Sequence, residues 1–420
     1  MKFTPRPTND FPEFIRTYYE RCKAKVPQIE VIVGKWNFED LIPGMSDFDT
    51  RFILTDDMGP QDWCDMSEAV GEVHLAMCNE FPHWARILEH LPGVNMTWEE
   101  LKSEETYFPE CHQWSAYFGK KGIFDSIVAG LKKRGFTEKD ELFHLKKFFL
   151  YYGPYQRGID PAINLGPYEN KYPLHSRIMH YFNPPLQSAI SVIRRDWVRG
   201  KREAFRLARE MFPHPGFIDE LLSIIDQHYE VEALYREPEL SKLEGKLFDY
   251  LKEVFRQLRE KITIVQVENK DNPAEYREKL NKIMIDPCMQ IFDSAKFSRL
   301  MKGRLKFYTK AGSFFDSKWL IQNELSRIGR SFFATPFTIY WKTFGSGENL
   351  SPLGVAERLT GEIFNQEDFS FIKRFSDLTM HGYQEGEEVE IARQIAEVMD
   401  GFYLALDKLV QAVREKNALG

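Results

Sequence analysis

The apolar residues of the first ninety positions follow a helical pattern first and an extended pattern next. From residue 11 to residue 26 they recur every three or four positions, which predicts an amphipathic helix that ends at Pro27. The run 29–33 is rich in β-branched residues and predicts a strand. A second strand is expected at 47–55, and a long helix with apolar inner positions at 61–90. This order predicts a sheet with helices packed against it.

Farther along the chain, the extended pattern gives way to helical spacing. A third extended run is expected at 107–118. Apolar residues then keep helical spacing across 243–262 and again across 391–413. The β-branched stretch 262–267 fits either a strand or an extension of the helix before it. Helices therefore dominate the later part of the chain.

These patterns together predict an α+β protein. Residues 1–120 are expected to form a mixed sheet with helices, and residues 121–420 a large, mainly α-helical domain that can divide into two subdomains near residues 268–275. The stretch 151–172 interleaves tyrosines with glycines and prolines, which predicts a long loop. Loops of this kind often form binding surfaces, and packing of the loop onto the helical domain explains the tyrosines equally well.

The composition is that of a globular protein, with 43% apolar and 14% aromatic residues among 420. A formal charge of −7 and the lack of an extended basic track argue against nucleic acid as a partner. No apolar run approaches the roughly 20 residues needed to span a bilayer, so no membrane partner is expected. The five cysteines are scattered, and we expect them to be reduced, buried thiols in a cytoplasmic protein.

Two aspartates one residue apart open the second predicted strand. Gly34 ends the first apolar run, and Asp47 and Asp49 follow it about a dozen residues later. Side chains two positions apart on a strand point to the same face, with Cα atoms roughly 6–7 Å apart. Such a pair can hold one divalent cation, or two cations about 4 Å apart as in phosphoryl-transfer sites. A solvated turn is the other interpretation, because Pro-Gly-x-Ser-Asp is itself favourable turn chemistry.

The strand that ends at Gly34, followed by Ser46-Asp47-x-Asp49 on a second strand, resembles the nucleotidyltransferases of the DNA polymerase β superfamily. In particular it is similar to the small-molecule adenylyltransferases that modify aminoglycosides, which also carry a helical C-terminal domain. The resemblance covers about residues 10–120. It implies a nucleotidyltransferase-like N-terminal fold in which Gly34 positions the nucleotide phosphates and Asp47 and Asp49 bind Mg²⁺. Ser46 precedes the acidic pair as it often does in that family.

The resemblance also implies a third carboxylate on a later strand. Glu110 lies in the third extended run and is expected to share the second metal and to help deprotonate the acceptor, with Glu104 and Glu105 as alternatives. Lys35 stands where the family usually has a serine or a second glycine, and it can contact a triphosphate by charge. Arg51 shares the strand face of Asp49, and it can either steer phosphate or pair with the aspartates.

These residues imply a magnesium-dependent nucleotidyltransferase. The expected reaction moves a nucleoside monophosphate from a nucleoside triphosphate, with ATP expected, to a hydroxyl of a small molecule, and pyrophosphate leaves. Two other functions fit the same sequence. One is a non-catalytic nucleotide-binding protein on the same fold, and the other is a helical interaction protein in which the N-terminal sheet only caps a bundle.

Overall fold

The structure is a computed structural model, and its overall composition confirms the α+β class. Within the part of the chain that it describes, the protein is mostly helical and contains one small mixed sheet of four strands. The described residues are 11–35, 49–82, 90–156, 182–228, 237–268, 270–283, 286–313 and 317–418.

The N-terminal elements combine helices with the four strands. They are, in order, α1 (Phe11–Lys25), β1 (Ile29–Gly34), β2 (Thr50–Leu54), α2 (Pro60–Glu80), β3 (Met96–Thr97), α3 (Trp98–Lys102), a 3₁₀ helix (Pro109–Gln113), β4 (Ser115–Gly119) and α4 (Lys121–Lys133).

The elements that follow are helical. They are α5 (Glu138–Gln156) and the helices Asn183–Arg194, Lys201–Met211, Pro215–His228, Glu237–Arg259, Pro273–Leu280, Met289–Ser298, Met301–Lys310, Ala311–Ser313 (3₁₀), Ser317–Ile328, Gly329–Ala334 (π), Thr335–Phe344, Pro352–Arg358, Gln366–Met380 and Glu388–Ala418.

The sheet has the strand order β3-β2-β1-β4. Strand β1 is antiparallel to both of its neighbours, whereas β2 and β3 are parallel. Gly34, the last residue of β1, lies opposite Thr50 of β2 and Ser115 of β4. The C-terminal end of β1 therefore meets the N-terminal ends of both neighbouring strands.

Each face of this sheet packs into a different hydrophobic core. Ile32 and Phe52 belong to a large core that also contains α1, α2 and the C-terminal helices between residues 288 and 413. Val33 and Ile53, on the opposite face, belong to a smaller core with residues from the 3₁₀ helix and α4. A third core lies entirely between residues 148 and 262. One core therefore joins the two ends of the described chain, while another belongs to a single stretch of it.

Buried ion pairs also connect the N-terminal elements to the C-terminal helices. Arg299 pairs with Glu100 of α3 through two contacts of 2.7 Å, and its guanidinium lies 3.8 Å from the ring centre of Trp63 on α2. Arg304 donates to Glu324 at 3.0 Å and to the carbonyl of Leu91 at 3.1 Å. These pairs fix the helical part against the sheet, because two-point contacts by guanidinium restrict orientation.

Local predictions from the sequence are confirmed where side-chain periodicity is strong. Strand β1 and helix α1 lie where they were expected, and strand β2 is shorter than the predicted 47–55. The expected strand at 107–118 is wrong in its first half, because Pro109 begins a 3₁₀ helix. The stretch 262–267 has no regular secondary structure. Helix α2 ends at Glu80, and the last part of the predicted helix, 83–89, lies outside the described residues.

The crossing of α2 and the helix Met301–Lys310 provides a test of close packing. A Cβ atom added to Gly303 would overlap the carbonyl oxygen of Ser67, a backbone atom that cannot swing away. We expect Gly303→Ala to lower the free energy of unfolding by about 1–3 kcal/mol, as overpacking does. The matched control is Gly130→Ala on α4, where nothing lies within 4 Å of the added atom. That change should raise stability by about 0.5–1 kcal/mol. Urea unfolding of both variants checks the pair, and equal effects would contradict the packing argument.

Candidate functional site

The paired ends of β1 and β2 place two of the predicted site residues side by side. The register sets Gly34 opposite Thr50, and the backbone N–H of Lys35 donates to the carbonyl of Asp49 at 3.3 Å. Arg51, two residues beyond Asp49, points to the same face of β2 and approaches its carboxylate at 3.7 Å. The antiparallel pairing thus brings residues that are distant in sequence to one edge of the sheet.

Glu110 lies at the centre of this group. Its Oε2 accepts from Arg51 Nη2 at 3.0 Å and from Trp114 Nε1 at 3.2 Å. Its Oε1 faces Lys35 Nζ at 3.5 Å and Lys147 Nζ at 3.8 Å. Only 9% of the Glu110 side chain is exposed. We call Lys35, Asp49, Arg51, Glu110 and Lys147 the Glu110 cluster.

Ionisation of the two carboxylates depends on the cations around them. Burial alone would raise the pKa of Glu110, but the charges of Lys35, Arg51 and Lys147 outweigh it and hold that pKa well below its usual range. Burial also raises the pKa of Asp49. The positive charge of Arg51, and to a smaller extent that of Lys35, outweighs burial, so the net pKa of Asp49 is lowered. The Asp49 side chain stays 35% exposed, so its pairing is the weaker of the two.

The same surroundings shift the pKa values of the two lysines of the cluster in opposite directions. Burial lowers the pKa of the Lys35 amine, but Glu110 and Asp49 raise it by more, and the net pKa is raised. Burial and the charge of Lys35 lower the pKa of Lys147 to about 7, against the attraction of Glu110. Lys35 is therefore a fixed positive charge, whereas Lys147 changes charge near neutral pH.

The C-terminal helices bring further charge close to Asp49. Glu324 is held by Arg304 at 3.0 Å and by Arg327 at 2.8 Å. Burial lowers the pKa of Arg304, but negative groups that include Glu324 and Asp49 raise it overall, so this guanidinium stays charged. His90, whose Nδ1 lies 2.5 Å from the hydroxyl of Tyr308, also favours the ionised form of Asp49. Positive groups thus approach the cluster from both the sheet and the helical part.

Five of the seven residues predicted for the site lie in or next to the cluster. They are Gly34, Lys35, Asp49, Arg51 and Glu110. Asp47 and Ser46 lie outside the described residues. The alternatives to Glu110 lie elsewhere. Glu104 pairs with Arg134 at 3.0 Å on the surface, and Glu105 accepts from Asn417 at 3.0 Å.

Gly34 has a packing role that the sequence did not suggest. A Cβ atom at this position would overlap the ring of Tyr117 on β4. The absent side chain therefore makes room for an aromatic ring of the neighbouring strand. This close approach accounts for a glycine at the end of β1 without reference to any ligand.

Lys147 is the member of the cluster that sequence analysis missed. It lies on α5, one turn before Tyr151, and α5 continues through Gly153 and Pro154 to Gln156. The prediction of a loop from residue 151 is therefore wrong for its first six positions, and the remaining positions, 157–172, lie outside the described residues. The spacing of His144, Lys147 and Tyr151 on one helical face was the available signal, once the helix was known to extend that far.

Magnesium is the ion that the resemblance implies, and the described residues fit it only in part. Asp49 offers a partly exposed carboxylate that Arg51 holds loosely at 3.7 Å, which suits a ligand of a hard cation. Glu110 does not fit, because positive side chains already occupy both of its oxygens. Among the residues that the structure describes, no three acidic, histidine or cysteine side chains are grouped to hold a metal ion. A magnesium site here therefore depends on Asp47 next to Asp49.

No protein-family model, curated protein or solved structure significantly matches this chain. In the described part of the chain, no helix is both long enough and apolar enough to cross a bilayer. Functional inference therefore starts from the chemistry of the Glu110 cluster. Lys35, Arg51 and Lys147 lie at a sheet edge with two carboxylates, one of them partly exposed, and these basic side chains can bind the oxygens of an anionic ligand such as a phosphate chain.

Proposed function

We propose that this protein binds a nucleoside triphosphate at the Glu110 cluster and transfers its nucleoside monophosphate to a hydroxyl of a small molecule. The main support for the proposal is that side chains from separate parts of the sequence lie together in the structure. Lys35, Asp49 and Glu110 come from three separate segments, and they meet at the paired ends of β1 and β2. The resemblance found in the sequence predicts a nucleotide site at this same edge of the sheet.

The charges of the cluster support binding of phosphate. Lys35, Arg51 and Lys147 all face one buried carboxylate, so Glu110 holds two fixed positive charges and the amine of Lys147 in a compact group. A phosphate chain supplies several anionic oxygens, which can share these cations with Glu110 at little reorganisation of the protein. Magnesium, when bound, would be held by Asp47 and Asp49 and would neutralise charge on the triphosphate. In this proposal Glu110 positions the cations and is not a metal ligand.

A specific observation favours a second candidate, a non-catalytic nucleotide-binding protein on the same framework. The guanidinium of Arg51 bridges Asp49 and Glu110, with contacts of 3.7 and 3.0 Å. A built-in cation therefore lies between the two described carboxylates of the site. If this bridge persists with ligand bound, the cluster binds phosphate without assembling a second metal position. A helical interaction protein, the third possibility, makes no use of the cluster.

The test of the first proposal is pyrophosphate release with each of the four ribonucleoside triphosphates and a panel of sugars, aminoglycosides and amino alcohols. We expect Asp49→Asn to lower the rate by about 100-fold or more, since one of the two carboxylates that would hold magnesium is lost. The matched control is Asp125→Asn, an exposed aspartate on α4, which should leave the rate unchanged. An Asp49→Asn rate equal to that of the control would remove this residue from the proposal.

Thermal shift measurements separate the candidates. The transferase and the non-catalytic protein both predict that ATP with magnesium raises the melting temperature, because the ligand binds only the folded state. The transferase alone predicts pyrophosphate release with some acceptor of the panel. A helical interaction protein predicts no shift with any of the four triphosphates.

A further inference from the structure

The guanidinium of Arg51 has one N–H group without a partner. Its Nη2 donates to Glu110 at 3.0 Å and its Nη1 to the carbonyl of Thr50 at 2.8 Å, but its Nε is buried and has no acceptor among the described residues. Only 7% of Arg51 is exposed. An unpaired buried donor is costly, and native proteins usually satisfy such a donor with water, an ion or a ligand. This donor therefore marks a place for an acceptor inside the Glu110 cluster.

The unpaired donor lies on the edge that arginine uses for two-point binding. The Nε–H and Nη2–H groups of a guanidinium point in nearly the same direction, and together they match two oxygens of a carboxylate or a phosphate. Glu110 accepts at only one of these points, because its Oε2 faces Nη2 while its Oε1 faces Lys35 at 3.5 Å and Lys147 at 3.8 Å. The second point of the Arg51 fork is therefore available to another oxygen.

Gly93 sets the plane of this guanidinium. A Cβ atom added to Gly93 would lie 3.1 Å from Cζ and 3.2 Å from both Nε and Nη1 of Arg51. Nearly equal distances to three adjacent atoms place the added atom over the face of the group and not at its edge. The backbone of Gly93 therefore packs against the flat face of the guanidinium, and the edge that carries Nε–H stays clear of it.

Gly93 is itself held against strand β2. Its N–H donates to the carbonyl of Thr50 at 2.9 Å, and its carbonyl accepts from Asn95 Nδ2 at 2.8 Å. Asn95 is fully buried and also accepts from the backbone N–H of Phe52 at 2.8 Å. Because these bonds fix the backbone at residue 93, a side chain at this position would displace Arg51 by a few tenths of an ångström.

We propose that Gly93 orients Arg51 so that its Nε–H donates to an oxygen of the bound phosphate chain. This inference rests on the proposed function, and it names one contact by which the Glu110 cluster recognises a nucleoside triphosphate. Nε has no exposed surface in the structure, so the guanidinium slides a short way along the face of Gly93 to meet the ligand. A methyl group at residue 93 obstructs that movement. Gly93 is a positioning residue here, because it touches the guanidinium and not the ligand.

The test measures the dissociation constants of ATP with magnesium, and of inorganic triphosphate, by titration calorimetry on the full-length protein. Gly93→Ala should raise both constants by about 10-fold or more, as expected when a hydrogen bond to a charged group is lost. Arg51→Lys keeps a positive charge beside Glu110 but has no planar fork, and it should raise both constants by about 10- to 100-fold. Gly130→Ala is the matched control, because nothing lies within 4 Å of the added atom, and it should bind as wild type.

The double variant Gly93→Ala/Arg51→Lys separates positioning from packing. A lysine side chain offers no flat face to residue 93, so the glycine change should weaken binding by less than about 2-fold once Arg51 has been replaced. The melting temperature of every variant is recorded, and the titrations are made well below the lowest of them. Loss of folded protein then cannot imitate loss of affinity.

Three results would overturn the role of Gly93 while leaving the proposed function intact. They are wild-type affinity in Gly93→Ala, an equal effect of that change with and without Arg51, and a loss of affinity for ATP but not for inorganic triphosphate. The last result would assign the contact to the nucleoside. Absence of binding of both ligands to the wild type would reject the proposed function, and the Arg51 contact with it.

Discussion

Glu110→Gln is expected to lower the free energy of unfolding by about 3–5 kcal/mol. The change removes the negative charge that faces Lys35, Arg51 and Lys147, and it leaves the fixed positive charges of Lys35 and Arg51 close together with little solvent. Removing one partner of a buried ion pair costs more than removing the whole pair, because the remaining charge is desolvated without compensation. Urea unfolding of the variant and of the wild type at pH 7 measures the difference.

The matched control for this change is Glu104→Gln. Glu104 also pairs with an arginine, Arg134, at 3.0 Å, but 77% of its side chain is exposed. Its loss should change stability by less than about 1 kcal/mol, as for other surface pairs. Inorganic triphosphate should restore part of the stability of Glu110→Gln and less of that of Glu104→Gln, since an anion can replace the missing carboxylate only in the cluster. Equal losses in the two variants would contradict a central role for Glu110.

Acid should destabilise the protein through two other buried carboxylates. Burial opposes the ionisation of Glu100 and Glu324, but Arg299 in the first case, and Arg327 with Arg304 in the second, lower each pKa to about 2. A carboxyl whose pKa is lower in the folded state stabilises the fold above its unfolded pKa, and this contribution disappears as pH falls through the folded value. We expect each group to contribute about 3 kcal/mol, lost mainly between about pH 4.5 and pH 2.

The measurement is the free energy of unfolding in urea at intervals from pH 7 to pH 2. The double variant Glu100→Gln/Arg299→Met removes both charges of one pair, so its stability should decline less steeply over the acidic range than that of the wild type. Glu80→Gln, at a surface pair with Arg21, is the control and should follow the wild-type slope closely. A double variant with the wild-type slope would mean that the Glu100 pair does not set acid stability.

Local sequence patterns were sufficient to predict the secondary-structure elements that lie nearest the site. Helix α1 and strand β1 follow from apolar periodicity and from β-branched residues, because each buries one clear set of side chains. The proximity of Asp49 to the end of β1 follows from the antiparallel pairing of two short strands that are consecutive in the chain. These features depend on residues that are close in sequence or in adjacent strands.

Features set by long-range packing could not be predicted in the same way. The 3₁₀ helix at Pro109 turns Glu110 towards Arg51 and Lys35, and the strand expected there would have fixed its direction differently. Lys147 joins the cluster only because α5 lies next to the 3₁₀ helix and continues past Gly153 and Pro154. Nothing in the local sequence determines which helix covers the end of β1. Glycine and proline usually end helices, but tertiary packing keeps α5 helical through Gly153 and Pro154.

The shared core of the first and last segments has a consequence for how the protein is made. During synthesis, α1, α2 and one face of the sheet leave the ribosome long before the helices between residues 288 and 413 that cover them. Residues 148–262 bury apolar side chains among themselves and can become compact in the meantime. The nascent N-terminal segment must therefore keep an uncovered apolar surface until the helices up to residue 413 have been synthesised, and such a surface favours aggregation unless a chaperone covers it.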